Sequence, residues 1–267
     1  MTAAGPDENA LEAALRLAAT EPAHRPAFYK ALLDSTVYVL GHANDGPAGG
    51  TRTLAPGEKV SIQNWEQKDG SPIVPFWSSL PELQRAIAAE AACMALPARS
   101  LFELTRGSAL VLNPKSSYGK EFFPEEIAAL LTEGVNQVAR RRVTEEPTRV
   151  LLGQPAHYPS KMVDSLTTLF AKHAGIKAAY LALMHDPAHD KDAHLVVGIE
   201  IEGDGEAIMR EAGVVAADSA PSGAAVDLTR VVRGGPGMSA YFHESVEPFY
   251  ERSWGSKLKS MLGFGRA

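Results

Sequence analysis

Apolar positions recur along this chain at two spacings, one helical and one extended, and the two alternate in blocks. Leu11, Ala14, Leu15 and Ala18 stand at i, i+3, i+4 and i+7, which predicts a helix with one apolar face. Asn9 precedes it, with Glu12 three residues on, as in a capping box. Pro26 suits the start of a second helix carrying Phe28, Tyr29, Leu32 and Leu33. Val37 to Leu40 reads as a buried strand and the Gly/Pro/Asn-rich run 41–50 as a loop. Strands are expected at Val60–Gln63 and Ile73–Trp77, separated by the turn residues Asp69 and Gly70. Ser79 and Glu82 form a second capping pair, opening a helix through Leu83, Ile87 and Cys93. Ser100 and Glu103 repeat the device for Leu101–Arg106, and Gly107 sits where a left-handed C-cap is wanted. Ala109–Leu112 predicts a strand, and Pro124 a helix ending near Gly134.

Between Val138 and Pro147 the apolar period stops and the chain becomes charged, which reads as a linker. The expected domains are therefore residues 1–140 and 148–267. Val150–Leu152 predicts a strand, and Ser160–His173 a helix with Met162, Leu166, Leu169, Phe170 and His173 on one face. Strands at Ala178–Met184 and Leu195–Ile201, a helix at Gly205–Ala212 and a strand at Ala225–Val232 follow. The order β-α-β-β-α-β is that of a ferredoxin-like sandwich. The expected class is α+β, with two α/β-sandwich domains. Short helices are expected at Met238–Phe242 and Trp254–Leu262; in the latter, Trp254, Leu258, Met261 and Leu262 share a face, away from Lys257 and Lys259.

Size and charge narrow the classes. At 267 residues and 28.5 kDa the chain can bury a sizeable core without a metal or disulfide staple. Its single cysteine, Cys93, excludes an internal disulfide, fits a reducing compartment, and reads as a buried, inert thiol. A formal charge of −6 with a pI near 5.8 gives no general nucleic-acid footprint. The N-terminus has neither a basic head nor an apolar core, and no run of about 18 apolar residues occurs. No secretory signal and no transmembrane segment are expected, and the expected location is the cytoplasm.

Three stretches invite a chemical reading. His185, Asp186, His189, Asp190, Asp192 and His194 offer metal-ligand types, and His185, His189 and His194 would be the imidazole ligands. The stretch lies between two strands, where Asp and Pro are ordinary turn formers, and its spacing matches no closed zinc pattern. It reads as a solvated hairpin loop. Asn113–Phe122 carries Lys115 and Lys120 after a strand, but a phosphate loop needs Gly-x4-Gly-Lys-Ser/Thr opening a helix. Pro114 and Glu121 break that pattern. An anion or partner surface of Lys115, Ser116, Ser117, Tyr118 and Lys120 stands beside the plainer reading, a solvated turn fixed by Asn113 and Pro114. The tail, with Trp254, Lys257 and Lys259, suits either packing on its own domain or docking on a partner or an anionic surface. No Gly-x-Ser-x-Gly elbow or paired-carboxylate signature is present, and no cofactor is expected.

Longer stretches carry a family resemblance. The run LEAALRLAATEPAHRPAFYKALLDSTVYVL, the segment FWSSLPELQRAI, and PARSLFELTRGSALVLNPKSSYGKEFFPEEI resemble the N-terminal part of the enhanced serine sensitivity (SseB) family. VLLGQPAHYP, AYLALMH, LVVGIEI and the closing EPFYERSW resemble its C-terminal part. The resemblance implies a bacterial protein of two domains and supplies no catalytic residues. The expected function is that of a non-enzymatic interaction or regulatory protein with a protein partner. Two alternatives stand beside it. One is a small-molecule enzyme linked to serine or sulfur metabolism, using His157, Tyr158, Lys161 or His243. The other is an immunity or antitoxin-like partner of a co-encoded effector.

Overall fold

The capping box at Asn9 forms as the sequence predicts. Its Oδ1 accepts the Glu12 N–H at 2.9 Å, and the Glu12 carboxylate accepts the Asn9 N–H at 3.1 Å. Helix α1, Ala10–Thr20, starts there and buries Leu11, Leu15 and Ala18. The computed structural model describes residues 8–43, 60–136, 150–187, 192–221 and 224–252, so the expected linker lies outside the described residues. The chain divides into two units, through Val138 and from Ala139.

In the first unit, helix α2 (Arg25–Leu33) has Pro26 in its first turn and buries Phe28, Tyr29, Leu32 and Leu33. Strands β1 (Thr36–Ala43), β2 (Val60–Ile62), β3 (Trp65–Glu66) and β4 (Pro72–Phe76) follow. Helix α3, Leu80–Ala86, is capped by the Ser79 hydroxyl, which accepts the Glu82 N–H at 3.3 Å. It does not reach Cys93. Ile87 is already extended, and Cys93 opens strand β5, Cys93–Pro97, with an exposed side chain. The alanine-rich stretch favours a helix locally. Beyond Ile87, however, it offers few large side chains to bury, and pairing with β1 over Thr36–Leu40 wins.

Helix α4 runs Ala98–Leu104 behind Pro97, so Ser100 lies inside its first turn and caps nothing. Strand β6 (Ala109–Leu112), strand β7 (Lys120–Phe122) and helix α5 (Pro124–Glu133) complete the unit, and α5 stops at left-handed Gly134, φ 74°. Strands β3 and β7 escape the sequence reading because two or three residues show no period.

The strands form two sheets, β2-β1-β5 and β3-β4-β6-β7, with β4 and β6 parallel. A reciprocal pair of backbone bonds between Tyr38 and Trp77, 2.9 and 2.8 Å, joins them. Phe76, Phe102 and Phe122 form a buried aromatic triangle, with centroids 5.8 to 6.0 Å apart. That spacing is within the favourable range for ring pairs.

The second unit runs β8 (Leu151–Gly153), α6 (Ser160–Phe170), β9 (Ile176–His185), β10 (His194–Ile201), α7 (Glu206–Ser219), β11 (Val226–Val231), α8 (Met238–Ser245) and β12 (Tyr250–Glu251). The predicted β-α-β-β-α-β order is present, with α8 and β12 added. The pairing is sequential. β11 lies parallel to β10, β10 antiparallel to β9, and β8 and β12 share the other edge of β9. A split βαβ would place a strand between β10 and β11, and these two are direct neighbours. Element order alone does not determine that choice.

Arg252 fastens the end of α6. Its guanidinium donates to the carbonyls of His173 (2.7 Å), Ile176 (3.1 Å) and Phe170 (3.3 Å), and the Tyr250 hydroxyl also donates to Phe170 O at 3.2 Å. Phe170 O and His173 O each also accept one backbone N–H, from His173 and Ile176, so the guanidinium takes up the remaining acceptor capacity of the turn that joins α6 to β9. On one sheet face Ala178, Tyr180, Ala182, Val196 and Val231 form a core with Phe242 of α8. Gly198 makes that seat. A Cβ there would lie 2.7 Å from Val231 Cγ2 and 2.8 Å from the Phe242 ring. Gly198→Ala is expected to lower unfolding free energy by about 1–3 kcal/mol through overpacking, read as a lower guanidinium midpoint.

Candidate functional site

The stretch Asn113–Gly119 is the turn of a hairpin, because Lys120–Phe122 pairs antiparallel with β6. Asn113 and Lys115 flank Pro114 with φ of 49° and 70°, the only described non-glycine residues with positive φ. Asparagine tolerates that region, whereas lysine is held there at a cost of about 1 kcal/mol. Gly119 closes the turn because a Cβ would come within 2.8 Å of Leu112 O.

Asn113 is buried and organises the ends of the parallel strands. Its N–H donates to Phe76 O at 2.8 Å, and its Oδ1 accepts the Ser78 N–H at 2.9 Å. Its Nδ2 donates to Ser78 Oγ at 2.8 Å, which frees the Ser78 hydroxyl to donate to Glu12 Oε1, also at 2.8 Å. The same carboxylate oxygen accepts Ser79 Oγ at 2.7 Å, and Asn9 Nδ2 donates to Ser78 O at 3.1 Å. Glu82, almost fully buried, accepts from Ser116 Oγ and from Arg85 Nη2, the latter at 2.6 Å. Two helix caps, two strand ends and one hairpin thus share a single polar network. Ligands in open α/β sheets ordinarily sit off the carboxyl ends of the strands. Here the chain's own side chains occupy that position.

The lysines are also engaged. Lys115 Nζ donates to Ala86 O at 3.0 Å and lies 5.1 Å from the centre of the Trp65 ring. Lys120 Nζ pairs with Glu126 Oε1 at 3.0 Å and lies 4.9 Å from the Phe122 ring centre. Ser117 is exposed, Tyr118 is half-buried, and the large side chain of Phe123 stands exposed close by in sequence. Nearer the start of the chain, a two-fold hydrogen bond from Arg16 holds the Glu8 carboxyl below its usual range.

In the second unit the expected residues scatter. His194 Nε2 lies 2.9 Å from Asp227 Oδ2, and His185 is on the neighbouring strand. His189 lies outside the described residues, as do Trp254, Lys257 and Lys259. Among the described residues no group of three His, Cys, Asp or Glu side chains is placed to hold a metal ion. Lys161 borders a shallow cleft of about 290 Å³ with Ser160 and Asp218, and Tyr158 is exposed. His243 Nδ1 is 3.2 Å from the Tyr180 hydroxyl, while its Nε2 is 3.9 Å from Glu200 Oε2. Burial first, then the Glu200 charge, pushes the Tyr180 hydroxyl above its ordinary value of 10.0. Sequence reasoning missed the roles of Ser78, Glu12 and Arg252, whose partners are distant in the chain.

Residues 11–129 match the family model of the SseB protein N-terminal domain, and residues 144–252 that of the SseB protein C-terminal domain. The chain is 40% identical over 252 residues to Protein SseB of Escherichia coli (strain K12), covering 94% of this chain and 95% of the relative. Protein SseB of Shigella flexneri matches to the same extent. No solved structure matches. The chain belongs to the SseB protein family.

Asn113→Ala leaves the buried Ser78 N–H without its acceptor and puts alanine, which tolerates positive φ less well than asparagine, at φ 49°. It is expected to cost about 1–3 kcal/mol, read by thermal or denaturant melting.

Proposed function

We propose that this member of the SseB family acts by binding another protein, in a regulatory or adaptor role in a bacterial cytoplasm, and not by catalysing a reaction. The observation that carries the reading is the closed network of Glu12, Ser78, Ser79 and Asn113. It fills the carboxyl ends of β4 and β6, the sheet's one parallel pair, where parallel strands ordinarily open a ligand crevice. Above it, the turn after Asn113 is held rigid at both ends, through Lys115 to Ala86 and through Lys120 to Glu126. A rigid, exposed turn loses little entropy on binding. Lys115, Ser117, Tyr118 and Lys120 are the residues we assign to the contact, with Phe123 as its apolar margin. Trp254, Lys257 and Lys259 form a second candidate contact, which rests on the sequence alone. Among the described residues no helix is long and apolar enough to cross a membrane. The names of the relatives state no reaction and no effector.

The test uses Ser117→Arg and Tyr118→Ala, because reversing either lysine would also disturb Trp65 or Glu126. Crosslinking and affinity purification from the native cell are expected to capture a reproducible protein with the unaltered chain. The double variant is expected to lose it by about tenfold or more while melting unchanged. Absence of any reproducible partner overturns the reading.

A further inference from the structure

Strand β5 is an edge strand, with β1 its only neighbour among the described residues. Which of its backbone groups are free follows from what β1 does on its other side. Tyr38 gives its N–H and C=O to Trp77, and the Leu40 C=O accepts the Gln63 N–H at 2.9 Å. Ala95 and Cys93 stand opposite Tyr38 and Leu40. They are therefore the non-bonded pairs of the ladder, and their N–H and C=O groups point outward. The bonds from Ala98 to Ser35 and from Gly41 to Ala92 have the complementary parity. Cys93, Ala95 and Pro97 are exposed.

An edge meant to stay single ordinarily carries lysines, prolines, inward charges or a bulge, and β5 has one of these, Pro97, at its last residue. Ala91–Ala98 carries no charge. Charges stand only at its two ends, Glu90 before it and Arg99 after it, both exposed and neither ion-paired among the described residues.

We propose that β5 is the seam of a homodimer, in which two copies of this chain pair their β5 strands antiparallel about a two-fold axis through Met94. In this register Cys93 of each copy faces Ala95 of the other, and all four outward N–H groups find carbonyl acceptors. Glu90, three residues before β5, then comes near the start of its mate's helix α4, where Arg99 stands just past the strand. The ends are complementary only in the antiparallel sense, since a parallel pairing would set like charges side by side. This self-complementarity selects a second copy as the occupant. Five-residue strands alone bury less than the roughly 1,200 Å² of a stable interface. A groove of about 710 Å³ beside Cys93, lined by Leu80, Leu83, Ile87, Ala88 and Ala92, extends the seam toward the mate's Pro97–Arg99 end. The dimer does not depend on the partner reading above and would form without a heterologous protein.

Light scattering and sedimentation of the full chain are expected to give twice the 28.5 kDa chain mass, dissociating on dilution. Ala95→Pro removes an outward N–H and no bond to β1. It deletes two of the four cross-seam bonds and is expected to weaken the dimer about thirtyfold. Glu90→Arg and Arg99→Glu are each expected to weaken it several-fold, and together to restore it. The Cys93 thiols, diagonal neighbours with Cα atoms about 7–8 Å apart, are expected to crosslink through a short bis-thiol reagent. A monomer at every concentration overturns the proposal, as does a dimer indifferent to all three changes. If Ala95→Pro fails to fold, the charge-swap trio decides alone: failure of the double swap to restore association overturns the seam.

Discussion

The buried Asn113–Ser78 clamp is the interaction on which the first unit depends. A buried amide is costly unless every donor and acceptor is met. Asn113 accepts the Ser78 N–H at Oδ1 and donates from Nδ2 to the Ser78 hydroxyl, which in turn donates to Glu12. The consequence is geometric. The carboxyl ends of β4 and β6 are locked in register, the caps of α1 and α3 are tied to them, and the hairpin to β7 must turn tightly over the top. A fully satisfied buried network of this kind specifies one arrangement, because any slip of β4 against β6 orphans several groups at once. The left-handed backbone at Asn113 is held by the same bonds, and Lys115 is tied down by its own bond to Ala86 O.

The second unit solves its equivalent problem differently. Strand β9 is long enough to carry β10 along one edge and both β8 and β12 along the other. The short β12 would be marginal by itself. Arg252 and Tyr250 hold it in place by donating to the carbonyls of Phe170 and His173 at and after the end of α6, so one residue pair serves both the sheet edge and the helix terminus. On the other side of the design, the absence of a side chain at Gly198 lets the Phe242 ring of α8 reach the sheet.

Much of this was legible in the sequence where the signal is local. Asn9, Ser79, Pro124 and Gly134 act within four residues, and each does what its type predicts. The failures share a cause. The Ser79–Glu82 cap predicts a helix through Leu83, Ile87 and Cys93, but β1 decides the matter from more than fifty residues away. Ser100 resembled a cap, yet the chain had already turned at Pro97 and tied Ala98 to Ser35. Lys115 and Lys120 read as part of an anion or partner surface, or of a solvated turn, because nothing local shows Trp65 or Glu126 waiting for them. The candidate surface was thus visible as a turn, while the bonds that hold it rigid were not.

The stretches that carry the family resemblance turn out to hold the fasteners. LFELTRG ends in left-handed Gly107, LNP contains Asn113, and EPFYERSW contains Tyr250 and Arg252. Their side chains are spent on backbone carbonyls, strand ends and helix caps. Resemblance concentrated in such residues speaks for a common fold, and it leaves activity to be sought on surfaces these fasteners support but do not form. In the first unit two surfaces meet that description: the turn after Asn113, and the uncharged edge of β5. Both present backbone or side chains in a fixed geometry with little left to order on contact, which is the property that association rewards.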